Sequence, residues 1–196
     1  MNIVIIQYNA GNIQSVLYAL ERLGVSATVT DNIDAIQSAD KVIFPGVGEA
    51  STAMAYLKER KLDQFIINLK QPVLGICLGM QLMCAYSEEN NTSCLGIFEA
   101  QVKLFKPTEA TIKVPQMGWN NITHLKTDLF KGVAENSYTY FVHGYFAALG
   151  AHTIATTNYI QPYSSALHKD NFYGTQFHPE KSAETGATIL RNFLAC

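Results

Sequence analysis

Runs of basic residues are missing from this chain. Its 14 Lys and Arg are outnumbered by 16 Asp and Glu, the formal net charge is −2, and no stretch gathers the cations that a phosphate backbone or an anionic membrane attracts. Nucleic-acid binding is therefore unsupported. No apolar run is long enough to span a bilayer, and Met1-Asn2-Ile3-Val4-Ile5-Ile6-Gln7-Tyr8 has neither the basic flank nor the cleavage site of a signal peptide; it reads as a first buried strand. Cysteine is scarce as well. Cys77, Cys84, Cys94 and Cys196 are irregularly spaced and form no C-x-x-C pair, so neither a zinc site nor a disulfide framework is indicated. No metal or cofactor is expected, since the P-loop and the dinucleotide fingerprint are also missing. A chain that depends on a free thiol belongs in a reduced cytoplasm. No linker, repeat or low-complexity stretch divides the 196 residues, which suit one domain, 1–196, large enough to bury a core without staples.

The first half alternates short apolar runs with helical patterns, as a parallel α/β sheet requires. Strands are expected at Ile3 to Ile6, Val25 to Val29, Lys41 to Phe44 and Val73 to Ile76. Helices are expected at Asn12 to Leu23, Glu49 to Arg60, Leu62 to Leu69 and Leu78 to Ser87. After Ser87 β-branched and aromatic runs take over, at Phe98 to Phe105, Ala110 to Val114, Asn121 to His124, Tyr138 to His143, Thr153 to Asn158, Ser165 to Leu167 and Phe172 to Phe177, before a last helix over Glu184 to Leu194. The expected fold is an open, mixed sheet with antiparallel late strands, flanked by helices.

Gly75-Ile76-Cys77-Leu78-Gly79-Met80-Gln81 places a Cys between glycines where a strand gives way to a helix. Such a turn lifts the apical side chain above the sheet, as in the G-x-S-x-G nucleophile elbow with sulfur replacing oxygen. The following helix directs free N–H groups and positive partial charge at Cys77, which favours thiolate. Taken alone, the same residues could equally hold a buried Cys in a Gly-punctuated loop.

A second motif changes that balance. Gly174-Thr175-Gln176-Phe177-His178-Pro179-Glu180-Lys181 sets an imidazole and a carboxylate two residues apart at a strand exit, on one face if the chain stays extended. Glu180 can then hold one tautomer of His178 while His178 takes the thiol proton. Phe44-Pro45-Gly46-Val47-Gly48-Glu49 ends the third strand, at the carboxyl edge where open α/β sheets bind ligands. Its backbone N–H groups, with that of Leu78, could meet the oxyanion of a tetrahedral intermediate.

These pieces resemble class I (triad-type) glutamine amidotransferase domains over nearly the whole chain, with the Gly75 to Gln81 and His178-Pro179-Glu180 motifs in the family's order. Within the family the chain is most similar to the glutaminase subunits of imidazole glycerol phosphate synthases. The residues that carry this are Tyr8 through Val16, Pro45-Gly46-Val47-Gly48, Pro115 through Asn120, Tyr140-Phe141-Val142-His143 and Gln176 through Ser182. The resemblance implies a flavodoxin-like, mostly parallel sheet and a catalytic triad of Cys77, His178 and Glu180. It also implies oxyanion and substrate contacts at Val47, Gly48, Leu78 and Gln81. The implied partner is a (β/α)-barrel cyclase subunit that receives ammonia in a heterodimer and makes imidazole glycerol phosphate and aminoimidazole carboxamide ribonucleotide in histidine biosynthesis. Asn12, Trp119, Asn120, Tyr138 and Lys181 match interface positions. A barrel needs about 250 residues, so that subunit is a separate chain.

Four positions depart from the subfamily's usual pattern: Gln7 for Asp, Asn9 for Gly, Gln116 for His and Gly144 for Ser. Gly144 puts side-chain help with substrate positioning in doubt at that spot. Other readings of the motifs are a stand-alone Cys hydrolase, a glutaminase serving another synthase, and an interaction module that keeps the fold without catalysis.

Overall fold

The computed structural model describes residues 1–196 apart from Ala10, Thr108 and Ala110. Its first half runs β1 (Ile3–Ile6), α1 (Ile13–Arg22), β2 (Thr28–Thr30), α2 (Ile33–Gln37), β3 (Lys41–Gly46), α3 (Ala50–Glu59), α4 (Leu62–Ile66), β4 (Val73–Cys77) and α5 (Leu78–Met83). The second half runs β5 (Cys84–Ser87), β6 (Thr92–Ser93), β7 (Phe98–Leu104), β8 (Gln116–Asn121), β9 (Tyr138–His143), β10 (Tyr145–Ala147), β11 (Thr153–Tyr159), β12 (Gln161–Lys169), β13 (Phe172–Thr175) and α6 (Ala183–Ala195).

Among the described residues one mixed sheet orders its strands β2-β1-β3-β4-β13-β12-β10-β7-β5-β6, with β11 paired to β12. It is parallel from β2 through β13 and turns antiparallel at β12. β8 and β9 form a separate antiparallel ribbon. Parallel strands covered on both faces must be apolar on both faces. In β1, Ile3 and Ile5 join the core shared with α1 and α6, whereas Val4 and Ile6 join the core shared with α3 to α5. α1 fits because Val16, Ala19 and Leu20 fall on one stripe. It ends at Gly24, whose φ of +75° suits the residue after a helix.

Several expectations shift. The helix expected through Ser87 stops at Met83, and Cys84–Ser87 instead pairs as a strand with β6 and β7: helix propensity there yields to a ladder formed with residues distant in sequence. The second strand begins at Thr28 rather than Val25, and α4 stops at Ile66 rather than Leu69. α2 and β10, five and three residues long, stand where the sequence reading expects no element. The strand expected at Asn121 to His124 ends at Asn121 and starts at Gln116 instead. Residues 111–114 form turns and bends rather than a strand, and Ala110 lies outside the described residues.

Candidate active site

β4 delivers Cys77 at its carboxyl end and α5 begins at the next residue. Cys77 has φ +54° and ψ −109°, a conformation that costs a non-Gly residue energy and is kept only where the surroundings enforce it. The flanking glycines explain how. A Cβ on Gly79 would lie 1.8 Å from the Phe44 carbonyl oxygen, and one on Gly75 would lie 2.3 Å from the Met83 methyl and 2.8 Å from the Met80 nitrogen. Close approach of α5 to β3 and β4, rather than left-handed backbone, is what excludes side chains at both positions.

His178 arrives from the loop after β13, its N–H donating to the Tyr140 oxygen at 2.9 Å. The period-two argument for Glu180 does not survive. Pro179–Lys181 is a turn of 3₁₀ helix, and the carboxylate reaches the imidazole by folding back, with His178 Nδ1 donating to Glu180 Oε1 at 2.7 Å. Both side chains are buried. Because Nδ1 holds the proton, Nε2 is the nitrogen left for Cys77. Burial alone would depress the pKa of His178. The negative charge of and hydrogen bond with Cys77, seconded by Glu180, outweigh it and raise the value to about 10. Cys77 and His178 line one cavity of about 240 Å³, so the two motifs, a hundred residues apart in sequence, share one site.

The same cavity is lined by Val47, Gly48, Leu78, Gln81 and Lys181. Gln81 is buried, and its Nε2 donates to the Tyr145 oxygen and to Gln176 Oε1, both at 2.9 Å, which leaves its own Oε1 to accept. Gln176 in turn directs Nε2 toward Cys77 Sγ at 3.8 Å, while the thiol points at the Val142 oxygen at 3.7 Å.

The interface positions divide. Trp119 and Tyr138, 53% and 60% exposed, stand on the β8–β9 ribbon near the equally unburied Met117, so Trp119 is not a core residue. Asn120 is tied down, donating to the Asn158 oxygen at 3.1 Å. Lys181 is exposed. Asn12 sits at the N-cap of α1 with φ +75°, yet its side chain makes no cap; it donates to Glu180 Oε1 instead.

Three further groups were given no role by the sequence, although Tyr8 and His143 fall in segments that carry the resemblance. Glu89 lines the cavity from the 3₁₀ turn after β5, where its Oε2 accepts from Ala50 N–H at 2.8 Å and burial pushes its pKa up. Its spacing from Cys77 carries no motif. His143, also in the lining, is buried. Desolvation lowers its pKa to about 4, against the opposing hydrogen bond to Tyr145. Its Nδ1–H donates to the Tyr145 oxygen at 2.7 Å, which leaves neutral Nε2 3.3 Å from Tyr163 Oη, a hydroxyl whose proton is donated to Gln116 Oε1 at 3.0 Å. Gln116 therefore backs a buried polar chain instead of reaching the cavity. Tyr8, the third, donates its hydroxyl to the Pro45 oxygen at 2.6 Å. At Gly144 a Cβ would make only ordinary contacts, so a serine would fit there and its loss leaves the fold unstrained.

Comparison with known proteins bears on the family and the fold. The sequence model of the family "Glutamine amidotransferase class-I" matches residues 4–196. A Bacteroides fragilis protein named imidazole glycerol phosphate synthase subunit HisH is 60% identical over 194 residues, covering 99% of each chain. Its Haemophilus influenzae counterpart is 46% identical over 99% of this chain and 97% of its own. Among solved structures, a glutamine amidotransferase aligns with TM-score 0.74 at 18% identity, over 98% of this chain and 97% of that one. Another, from Thermotoga maritima, aligns with TM-score 0.63 at 18% identity, over 99% and 82%; at such identities they speak for the fold alone. With its full span matched and relatives this similar, the chain belongs to the class I glutamine amidotransferases, in the branch of the HisH subunits.

Proposed function

We propose that residues 1–196 act as one glutaminase domain, the HisH subunit of an imidazole glycerol phosphate synthase, with Cys77, His178 and Glu180 as its triad. The observation that carries this is the convergence of Cys77 and His178 on one cavity, with Glu180 bonded to the far nitrogen of the imidazole.

Cys77 attacks the side-chain carbonyl carbon of glutamine as thiolate, and His178 holds the proton that came from sulfur. The carbonyl oxygen becomes an oxyanion, met by backbone N–H groups of Leu78 and the Val47–Gly48 loop. Collapse expels the amide nitrogen, which takes the proton from His178 and leaves as ammonia. Water, deprotonated by His178, then splits the thioester to glutamate. The sum is glutamine plus water to glutamate plus ammonia. Gln81 Oε1 and the Glu89 carboxylate supply acceptors for the substrate's α-ammonium group.

Ammonia released into water at neutral pH is largely protonated and lost as a nucleophile, so the product has to be handed to a synthase site directly. The relatives are named as synthase subunits, which supports a synthase partner, and a barrel cyclase fits that role. Trp119 and Tyr138, large side chains left exposed on the β8–β9 ribbon, suit a protein interface.

The test is Cys77→Ala in the complex with the cyclase subunit. Glutamine-dependent synthesis should fall to background while ammonium-dependent synthesis persists, because the acceptor chemistry lies on the partner. Unchanged glutamine hydrolysis would remove Cys77 as nucleophile.

A further inference from the structure

β3 pairs with β1 only as far as Ile43 opposite Ile5, while on its other side it continues with β4 to Gly46 opposite Cys77. Among the described residues Phe44 to Gly46, the stretch that leads into the Val47–Gly48 loop, therefore has a strand on one side only. The open side is closed by a side chain. Tyr8 Oη donates to the Pro45 oxygen at 2.6 Å, and the Tyr8 ring packs 5.2 Å from that of Phe44. Gly46 is fitted to this arrangement, since a Cβ there would lie 2.1 Å from Tyr8 Oη. The hydroxyl thus stands where a ladder hydrogen bond would otherwise fix the end of β3.

The residues after Tyr8 extend the same contact. Asn9 Nδ2 donates to the Thr52 oxygen in the first turn of α3 at 3.3 Å. Gly11 passes so near Val47 that a Cβ would come within 3.1 Å of its methyl. Asn12 donates to Glu180. One short segment therefore touches the strand end, the loop and the triad.

We propose that Tyr8 is a positioning residue for the oxyanion site: its hydroxyl fixes the Pro45 carbonyl, and with it the start of the loop whose Val47 and Gly48 line the cavity. This rests on the glutaminase reading above. Burial and then the charge of Cys77 push the phenol's pKa far up, so the group stays a donor at every pH at which the triad works.

The experiment is Tyr8→Phe in the full chain with its cyclase subunit. It removes one oxygen and keeps the ring against Phe44. The kcat for glutamine should fall about tenfold to a hundredfold, with KM within about twofold. Alkylation of Cys77 by iodoacetamide, read by mass spectrometry on the Cys77 peptide, should keep the wild-type rate, because direct displacement at carbon develops no oxyanion. Incorporation of 4-aminophenylalanine at position 8, which retains a donor, should restore most of the lost kcat. An unchanged kcat would overturn the proposal. So would alkylation falling in parallel with turnover, or a Tyr8→Phe chain that does not fold, either of which makes the hydroxyl a general structural element. A wild-type complex that leaves glutamine intact would overturn the glutaminase reading itself, a result separable from all of these.

Discussion

His178 Nδ1 and Glu180 Oε1 lie 2.7 Å apart in a region closed to water. A carboxylate placed so holds the imidazole in one tautomer and stabilises the cation formed when His178 takes the thiol proton. Glu180→Gln keeps the shape and removes the charge. Glutamine-dependent kcat should fall by about a hundredfold or more, with ammonium-dependent synthesis unchanged; steady-state rates with each nitrogen source check this.

Much of that site is legible in the sequence, because covalent neighbours define it. Gly75 and Gly79 flag the elbow, and His178-Pro179-Glu180 places the proposed base and its orienter within three residues. The geometry between His178 and Glu180 was not legible, since alternation along a strand and a folded-back turn place the same two side chains together. Glu89 and Tyr8 were hidden for another reason: each reaches the site through a backbone contact with a distant element, Ala50 N–H and the Pro45 oxygen respectively, and such contacts leave no pattern in one chain. The fold divides similarly. β1, β3 and β4 announce themselves as apolar runs, whereas Cys84–Ser87 reads as helix until β6 and β7 pair with it.

Gly79 should be the least replaceable residue of the elbow. A methyl there would lie 1.8 Å from the Phe44 oxygen, so Gly79→Ala must push α5 away from β3. A loss of more than about 4 kcal/mol is expected, roughly 10 °C in melting temperature for a chain of this size. Gly144→Ala, with only ordinary contacts around its Cβ, should melt within about 2 °C of wild type. Thermal denaturation of the two variants side by side makes the comparison.

His143 and His178 should bend the stability curve in opposite senses. The pKa of His143 is lowered to about 4 by burial, so between pH 4 and about 6.5 the unfolded chain binds the extra proton. Stability rises with pH there, and the His143 contribution is lost as pH falls through 4, on the order of 3 kcal/mol in all. That of His178, raised to about 10, is present below about 6.5 and lost as pH rises through 10. Urea denaturation of His143→Gln between pH 4 and 7 should show a shallower slope than wild type, by up to about 1.4 kcal/mol per pH unit.

Trp119 should separate docking from folding. It is half exposed on the β8–β9 ribbon and meets Tyr140 edge-on at 5.9 Å between rings. Trp119→Ala should leave melting temperature within about 2 °C yet weaken cyclase binding by about 2 kcal/mol or more, as loss of an aromatic anchor does. Calorimetric titration against the cyclase subunit measures it.

On the glutaminase reading, Glu89 should decide how the substrate is told apart from other primary amides. Glutamine carries an α-ammonium group, and a carboxylate in the cavity lining would pair with it in a way that a simple amide cannot match. Glu89 Oε2 already accepts from Ala50 N–H, which fixes the carboxyl group in place, so the charge meets the substrate at little cost in ordering. This contact is the same in the ground state and at the tetrahedral intermediate, because the α-ammonium lies three carbons from the reacting amide. Glu89→Gln should therefore raise KM for glutamine about tenfold to a hundredfold and change kcat by less than about threefold. Glutaminase assays over a range of glutamine concentrations read the split, and a kcat that fell as far as KM rose would place Glu89 in the chemical step instead.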